Sequence, residues 1–465
     1  MSTWINSNEI RSQFSALMSD MYQNEVPLYG DLIELVKDIN QETLNTHIAL
    51  EQQLQQTGEL PRLSQERHGA IRLGTADELK NMRRIFAVMG MFPVGYYDLV
   101  PSGVPVHSTA FRAIETEALN QCPFRVFTSL LRLELIDHVE LRTTAEQVLA
   151  KRQIFTPLAL ALTEKFEQQG GLNAEDARLF VEQVLETFRW HTEAPVSQSL
   201  YQALHDQHRL IADVVAFKGP HINHLTPRTL DIDAVQNNML SRGITPKAVI
   251  EGPPRRHCPI LLRQTSFKAL NEKVNFNGGS TIEQGSHTAR FGEIEQRGVA
   301  LTRKGRELYD ELLQQARACL GCAPDESNAS EYVRILEETF QAFPDDYQVL
   351  HDQGLAYFYY FAKQDQLHND DLSVNTENIS ALIQSGVIKI EPIVYEDFLP
   401  VSAAGIFQSN LGGDQQSNYG VISNQQIFEE SLGASVFDEM QLYAELQQKS
   451  LNACLEQLNQ RIALS

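Results

Sequence analysis

The chain has 465 residues, 42% hydrophobic and 21% charged, which allows a large packed core and excludes wholesale disorder. Its formal net charge of −22 excludes nucleic acid as the main partner, because phosphate binding needs a basic face. An anionic small substrate stays compatible, since a few buried arginines outweigh the global charge locally.

Apolar residues recur at helical spacing through Ile10, Phe14, Leu17, Met18 and Met21, then through Leu32, Leu35, Val36 and Ile39. This predicts a helical N-terminal segment over 1–65, closed by Pro61. A strand follows over Glu66–Leu73, then a helix from Asp77 to Met89 that Gly90 stops. Strands are read over Gly95–Val100, Val106–Ile114 and Phe124–Leu131. The order over 66–131 is β-α-β-β-β. Residues 132–218 read as a helical insertion with a break at Gly170-Gly171.

The β-α-β-β-β order returns over 219–300. A strand spans His221–Thr226, a helix spans Ile232–Arg242 and ends at Gly243, and strands follow at Ala248–Glu251, Pro259–Phe267 and Thr288–Gln296. The helix exits also correspond, Gly90-Met91-Phe92-Pro93 against Gly243-Ile244-Thr245-Pro246. Residues 301–465 read as mainly helical, interrupted by a loop-rich apolar stretch from Glu396 to Asn410 and an exposed loop over Gly412–Asn418. The expected fold class is α+β: two βαβββ modules forming a curved sheet, with large helical additions.

Each module opens with the same pattern, His68-Gly69-Ala70-Ile71-Arg72 and His224-Leu225-Thr226-Pro227-Arg228. Alternate strand residues share a face, so His68, Ala70 and Arg72 lie together, as do Ile222, His224 and Thr226. If the modules pair about a pseudo-twofold axis, their first strands meet centrally and the histidines converge. Arg290–Gly298 then offers carboxylates. Two histidines and one carboxylate form the facial ligand set of non-haem Fe(II) oxygenases. His221 competes with His224, and Glu293 shares a face with Glu295, so parity leaves both choices open. Arg72 suits a bidentate clamp for an acid substrate; its bland alternative is a structural ion pair.

Cys122, Cys258, Cys319, Cys322 and Cys454 are too sparse for a disulfide framework, and a reducing cytoplasm fits them. The isolated Cys319-Leu320-Gly321-Cys322 pair reads as two incidental thiols. No signal peptide is read at the N-terminus, and no run approaches the roughly 18 apolar residues of a spanning helix. A soluble cytoplasmic protein without a membrane partner is expected.

The segments RHGAIRLGTADEL, GPHINHLTPRTLDID, RFGEIEQRG and EDFLPVSAAGIFQSNL resemble the bacterial 2-oxoadipate dioxygenase/decarboxylase family, also called hydroxyglutarate synthase, over nearly the whole chain. That family lies in the vicinal oxygen chelate superfamily, whose repeat is β-α-β-β-β. The resemblance implies an Fe(2+) enzyme converting 2-oxoadipate and O2 to (R)-2-hydroxyglutarate and CO2. It implies His68, His224 and Glu293 as iron ligands, His68 and Arg72 as substrate contacts, and a pocket loop carrying Val401 and Ser402. Two other readings stand beside it. One is a metal-dependent lyase or isomerase on the same scaffold, which needs a fourth ligand or another metal. The other is a non-catalytic protein using its helical segments for interaction.

Overall fold

A computed structural model of the chain describes residues 4–279, 282–322, 324–363, 379–399 and 421–462. The N-terminal periodicity becomes three helices, α1 (Ser7–Glu25), α2 (Pro27–Thr46) and α3 (Ile48–Thr57). Asn6 caps α1 through the Asn8 N–H, and Pro27 opens α2, where a missing N–H costs nothing. The apolar stripe is buried as expected except at Leu17, which is 36% exposed at the edge of the face.

The first module follows the expected order: β1 (Arg67–Leu73), α4 (Ala76–Val88), β2 (Phe92–Asp98), β3 (Val106–Arg112) and β4 (Phe124–Leu131), with a short unforeseen helix α5 (Thr116–Gln121) before β4. Thr75 caps α4 and Gly90, at φ +64°, ends it. β2 starts three residues before the expected Gly95. That glycine, at φ +72°, lies within a register shift between Val94 and Tyr97, so it marks a bulge inside the strand rather than its start.

The insertion holds α6 (Val139–Ala150), α7 (Pro157–Gln169), α8 (Ala174–Leu185), a two-residue strand β5 (Glu193–Ala194), α9 (Gln198–Gln207) and α10 (Arg209–Val215).

The second module departs from expectation. Its opening strand β6 is only Leu225–Pro227, so His221 and His224 precede it. α11 (Ile232–Met239) runs into a 3-10 turn ending at Gly243, but 248–251 contributes only an isolated bridge from Glu251 to Gln264. The next strand, β7, is Leu262–Ser266. A long hairpin then intervenes, β8 (Leu270–Asn277) and β9 (Ile282–Arg290), before β10 (Glu293–Arg297). The single expected strand over Thr288–Gln296 is thus two strands divided at Phe291-Gly292. A Cβ on Gly292 would lie 2.2 Å from the Phe267 ring and 2.9 Å from Leu32, so only glycine fits the break. The C-terminal region is mainly helical but also carries an antiparallel pair, β11 (Phe358–Ala362) and β12 (Ile388–Pro392).

The five-stranded sheet runs β2-β3-β4-β1-β6. β1 is parallel to β4 and antiparallel to β6, with His68 opposite Thr226. A bridge from Arg228 to Glu295 carries the layer on to β10, which pairs with β7. The opening strands of the two modules are therefore neighbours. They approach so closely that a Cβ on Gly69 would lie 2.5 Å from Ile222 Cδ1 and 3.0 Å from the His224 carbonyl. Tyr22 of α1 donates to the carbonyls of Asn223 (3.0 Å) and Phe291 (2.8 Å), tying together the segments that lead into His224 and Glu293.

Candidate metal centre

His68, His224 and Glu293 are each fully buried, and their donor atoms lie within 4.8 Å of one another. His68 Nε2 is 3.0 Å from Glu293 Oε1, and His224 Nε2 is 3.8 Å from the same oxygen. The imidazole centroids are 5.5 Å apart, with the rings nearly perpendicular at 87°. Glu293 Oε1 also accepts from Thr226 Oγ1 (3.0 Å) and Gln264 Nε2 (2.8 Å), which fixes the carboxylate plane. Phe398 packs edge-on against His68 at 4.9 Å and Phe291 lies 4.9 Å from His224, so each imidazole has one aromatic ring beside it.

Both nitrogens of His224 and Oε2 of Glu293 are buried without a hydrogen-bond partner among the described residues. Leaving three such atoms unpaired costs roughly 1–3 kcal/mol each. A divalent cation would engage one nitrogen and the oxygen, so the donor set fits a metal. The charge balance agrees. Burial pushes His224 down to about 4, leaving a neutral imidazole, the form that binds metal. Burial also opposes a proton on His68, but the carboxylates of Glu295 and Glu293 outweigh it and raise its pKa. The site therefore draws positive charge between its imidazoles and carboxylates.

Glu295, the rival ligand, reaches the other nitrogen of the same imidazole. Its Oε2 lies 2.9 Å from His68 Nδ1, and both its oxygens accept from Arg297, at 2.8 and 2.9 Å. Burial works against its ionisation, yet Arg297, His68 and Arg125 hold its carboxyl well below the usual range. This is the orienting partner that metal-ligating histidines generally have on the other ring nitrogen. Behind it lies a buried ion network of four arginines (Arg62, Arg125, Arg228, Arg297) and four glutamates (Glu59, Glu66, Glu295, Glu396).

The matched arginines of the two His-x-x-x-Arg patterns have different fates. Arg228 pairs with Glu59 (2.7 Å) and Glu66 (3.2 Å). Arg72 pairs with Asp213 at 2.5 Å, and its charge helps keep His224 neutral. His221 also turns to Asp213, 3.4 Å away, and not to the Glu293 cluster. Val401 and Ser402 lie outside the described residues. Thr226 and Gln264 were missed as supports of Glu293. Thr226 sat on the ligand face two residues beyond His224, a usable signal; Gln264 gave none.

An α+β frame that brings two imidazoles and a carboxylate to one buried point has the donor set of a metal-dependent enzyme. Residues 14–410 match the family model described as 2-oxoadipate dioxygenase/decarboxylase, and the chain belongs to that family. It is 59% identical over 456 residues to the 2-oxoadipate dioxygenase/decarboxylase of Pseudomonas putida, covering 98% of each chain. With the one of Escherichia coli the identity is 54% over 455 residues, covering 98% of this chain and 99% of that one. The crystal structure of hydroxyglutarate synthase in complex with 2-oxoadipate from Pseudomonas putida is similar at a TM-score of 0.92 and 58% identity, covering 99% of this chain and 100% of that one.

Proposed function

We propose that this chain is a decarboxylating dioxygenase that uses Fe(II) to convert 2-oxoadipate and O2 to (R)-2-hydroxyglutarate and CO2. The balance closes, since one carbon leaves as CO2 and two oxygen atoms are taken up. The observation that carries the reading is the convergence of His68, His224 and Glu293 with unpaired buried donor atoms. Three protein donors leave positions for substrate and dioxygen; among the described residues no fourth side chain joins them, as an isomerase-type site would require.

His68, His224 and Glu293 would hold the iron, which when bound would activate dioxygen, the 2-oxo acid itself supplying the electrons that reduce it. Thr226 and Gln264 keep Glu293 aimed at the two histidines. Arg72 grips the distal carboxylate of the substrate and sets its register, and His68 borders the bound acid. By the family resemblance, Val401 and Ser402 would contact the substrate. Phe398 and Phe291 keep bulk water from the reacting carbons. The unpaired cysteines fit a cytoplasmic location.

Anaerobic reconstitution with Fe(II), followed by O2 and 2-oxoadipate, tests the reading. O2 uptake, CO2 release and 2-hydroxyglutarate should appear in equal amounts. Turnover without O2 uptake would make the chain a lyase or isomerase, and failure to retain metal would leave a non-catalytic scaffold.

A further inference from the structure

A second buried cluster lies on the far side of Arg72. Asp213 of α10 meets His287 of β9, with Nε2 2.8 Å from Oδ1, and His221, with Nε2 3.4 Å from the same oxygen. The other carboxylate oxygen, Oδ2, takes Arg72 Nη1 at 2.5 Å. His287 Nδ1 is 2.9 Å from the Tyr201 hydroxyl of α9, and Asn223 Nδ2 is 3.2 Å from His221 Nε2. Trp190 lies edge-on to His221 at 4.6 Å and parallel to His287 at 6.2 Å, walling the cluster.

Two imidazoles and a carboxylate repeat the donor types of the metal centre, but their circumstances differ. Here both nitrogens of His287 and both oxygens of Asp213 already have partners, whereas neither nitrogen of His224 has a hydrogen bond among the described residues. Arg72 already supplies the positive charge. Arg290, set 5.3 Å over the Trp190 ring, adds another nearby. A dication placed among these groups would meet two guanidinium charges.

We infer that Asp213, braced by His287 and His221, is the positioning residue that sets the guanidinium of Arg72, and so decides how strongly the enzyme prefers an acid with a distal carboxylate. This rests on the proposed role of Arg72. The guanidinium is a planar fork, and one donor pinned to a rigid carboxylate fixes the directions of the others. Asp213 is rigid because His287 is itself held through Tyr201. The helical insertion, which carries Tyr201 and Asp213, thereby acts on substrate selection.

The test compares Fe(II)-reconstituted wild type, Arg72→Ala, Asp213→Asn, His287→Ala and His287→Gln on 2-oxoadipate and on 2-oxohexanoate, which lacks the distal carboxylate. Asp213→Asn should raise KM for 2-oxoadipate about tenfold or more, the usual worth of a charge-assisted hydrogen bond. It should change kcat little and leave KM for 2-oxohexanoate and the iron content as in wild type. His287→Gln keeps a donor toward Asp213 and should fall between wild type and His287→Ala. Equal rises in KM for both acids would make the cluster merely structural and overturn the inference. So would a second metal equivalent in wild type that Asp213→Asn removes. If Arg72→Ala raises KM for 2-oxoadipate alone and Asp213→Asn does not, the inference fails while the role of Arg72 stands. If Arg72→Ala leaves the two acids' KM ratio unchanged, the role of Arg72 itself fails.

Discussion

Glu293 and Glu295 are two residues apart on one strand face, yet their surroundings separate their chemistry. Glu293 keeps one oxygen unpaired beside two imidazoles, while Glu295 spends both on Arg297. Glu293→Gln should therefore abolish stable metal binding, read as iron per chain after desalting. Glu295→Gln should retain the site but weaken it by roughly 10–100-fold, the usual effect of losing an orienting partner, read by titration against a competing chelator. His224→Ala should lose the metal and His221→Ala should keep it, because His221 belongs to the Asp213 cluster. A reversal within either pair would place the centre elsewhere.

At the scale of elements, the site depends on how closely β1 approaches the segment bearing His224. Gly69→Ala puts a methyl against Ile222 and the His224 carbonyl. Overpacking of this kind costs about 1–3 kcal/mol, and here the strain falls on a donor. The variant should show a lowered thermal midpoint together with reduced iron content; a lowered midpoint with full iron would mean that Ile222 alone yields. The same elements explain what the sequence made legible. α4 announced itself by local signals, the acidic opening at Asp77-Glu78 and the stopping glycine at 90, and the strands beside it followed from the turns that bound them. The β8–β9 hairpin did not, because its polar faces give only a weak alternation, with Val274 and Phe276 buried among exposed neighbours. The metal cluster was legible because a repeated motif marked both histidines. The Asp213 cluster was not, since Asp213 and His287 are 74 residues apart and share no motif.

Across the whole molecule, several histidines are held neutral by burial. Burial, with help from Arg132, lowers His107 to about 4, and burial lowers His221 to about 3. The unfolded chain takes up these protons below pH about 6.5, whereas the folded chain refuses them until the lower values. Stability is thus fully present above pH 6.5 and falls as the pH drops toward 4, by about 1.4 kcal/mol per pH unit for each such histidine. Metal-free protein should show a urea midpoint that declines steadily between pH 7 and 5; a flat midpoint would mean that these imidazoles are protonated in the fold. The buried ion network responds differently. Arg125→Met leaves Glu66 and Glu396 short of a counter-charge, and breaking such a pair costs about 3–5 kcal/mol, visible as a large drop in the same midpoint at neutral pH.

The clasp formed by Tyr22 has a bearing on biosynthesis. It grips carbonyls at Asn223 and Phe291, while His68 must find Glu293 across 225 positions of chain. No half-made polypeptide on the ribosome possesses all three side chains, so the cluster can assemble only after the second module has emerged and docked. An ion held there would close a very long loop, and its retention would count only molecules that have finished folding.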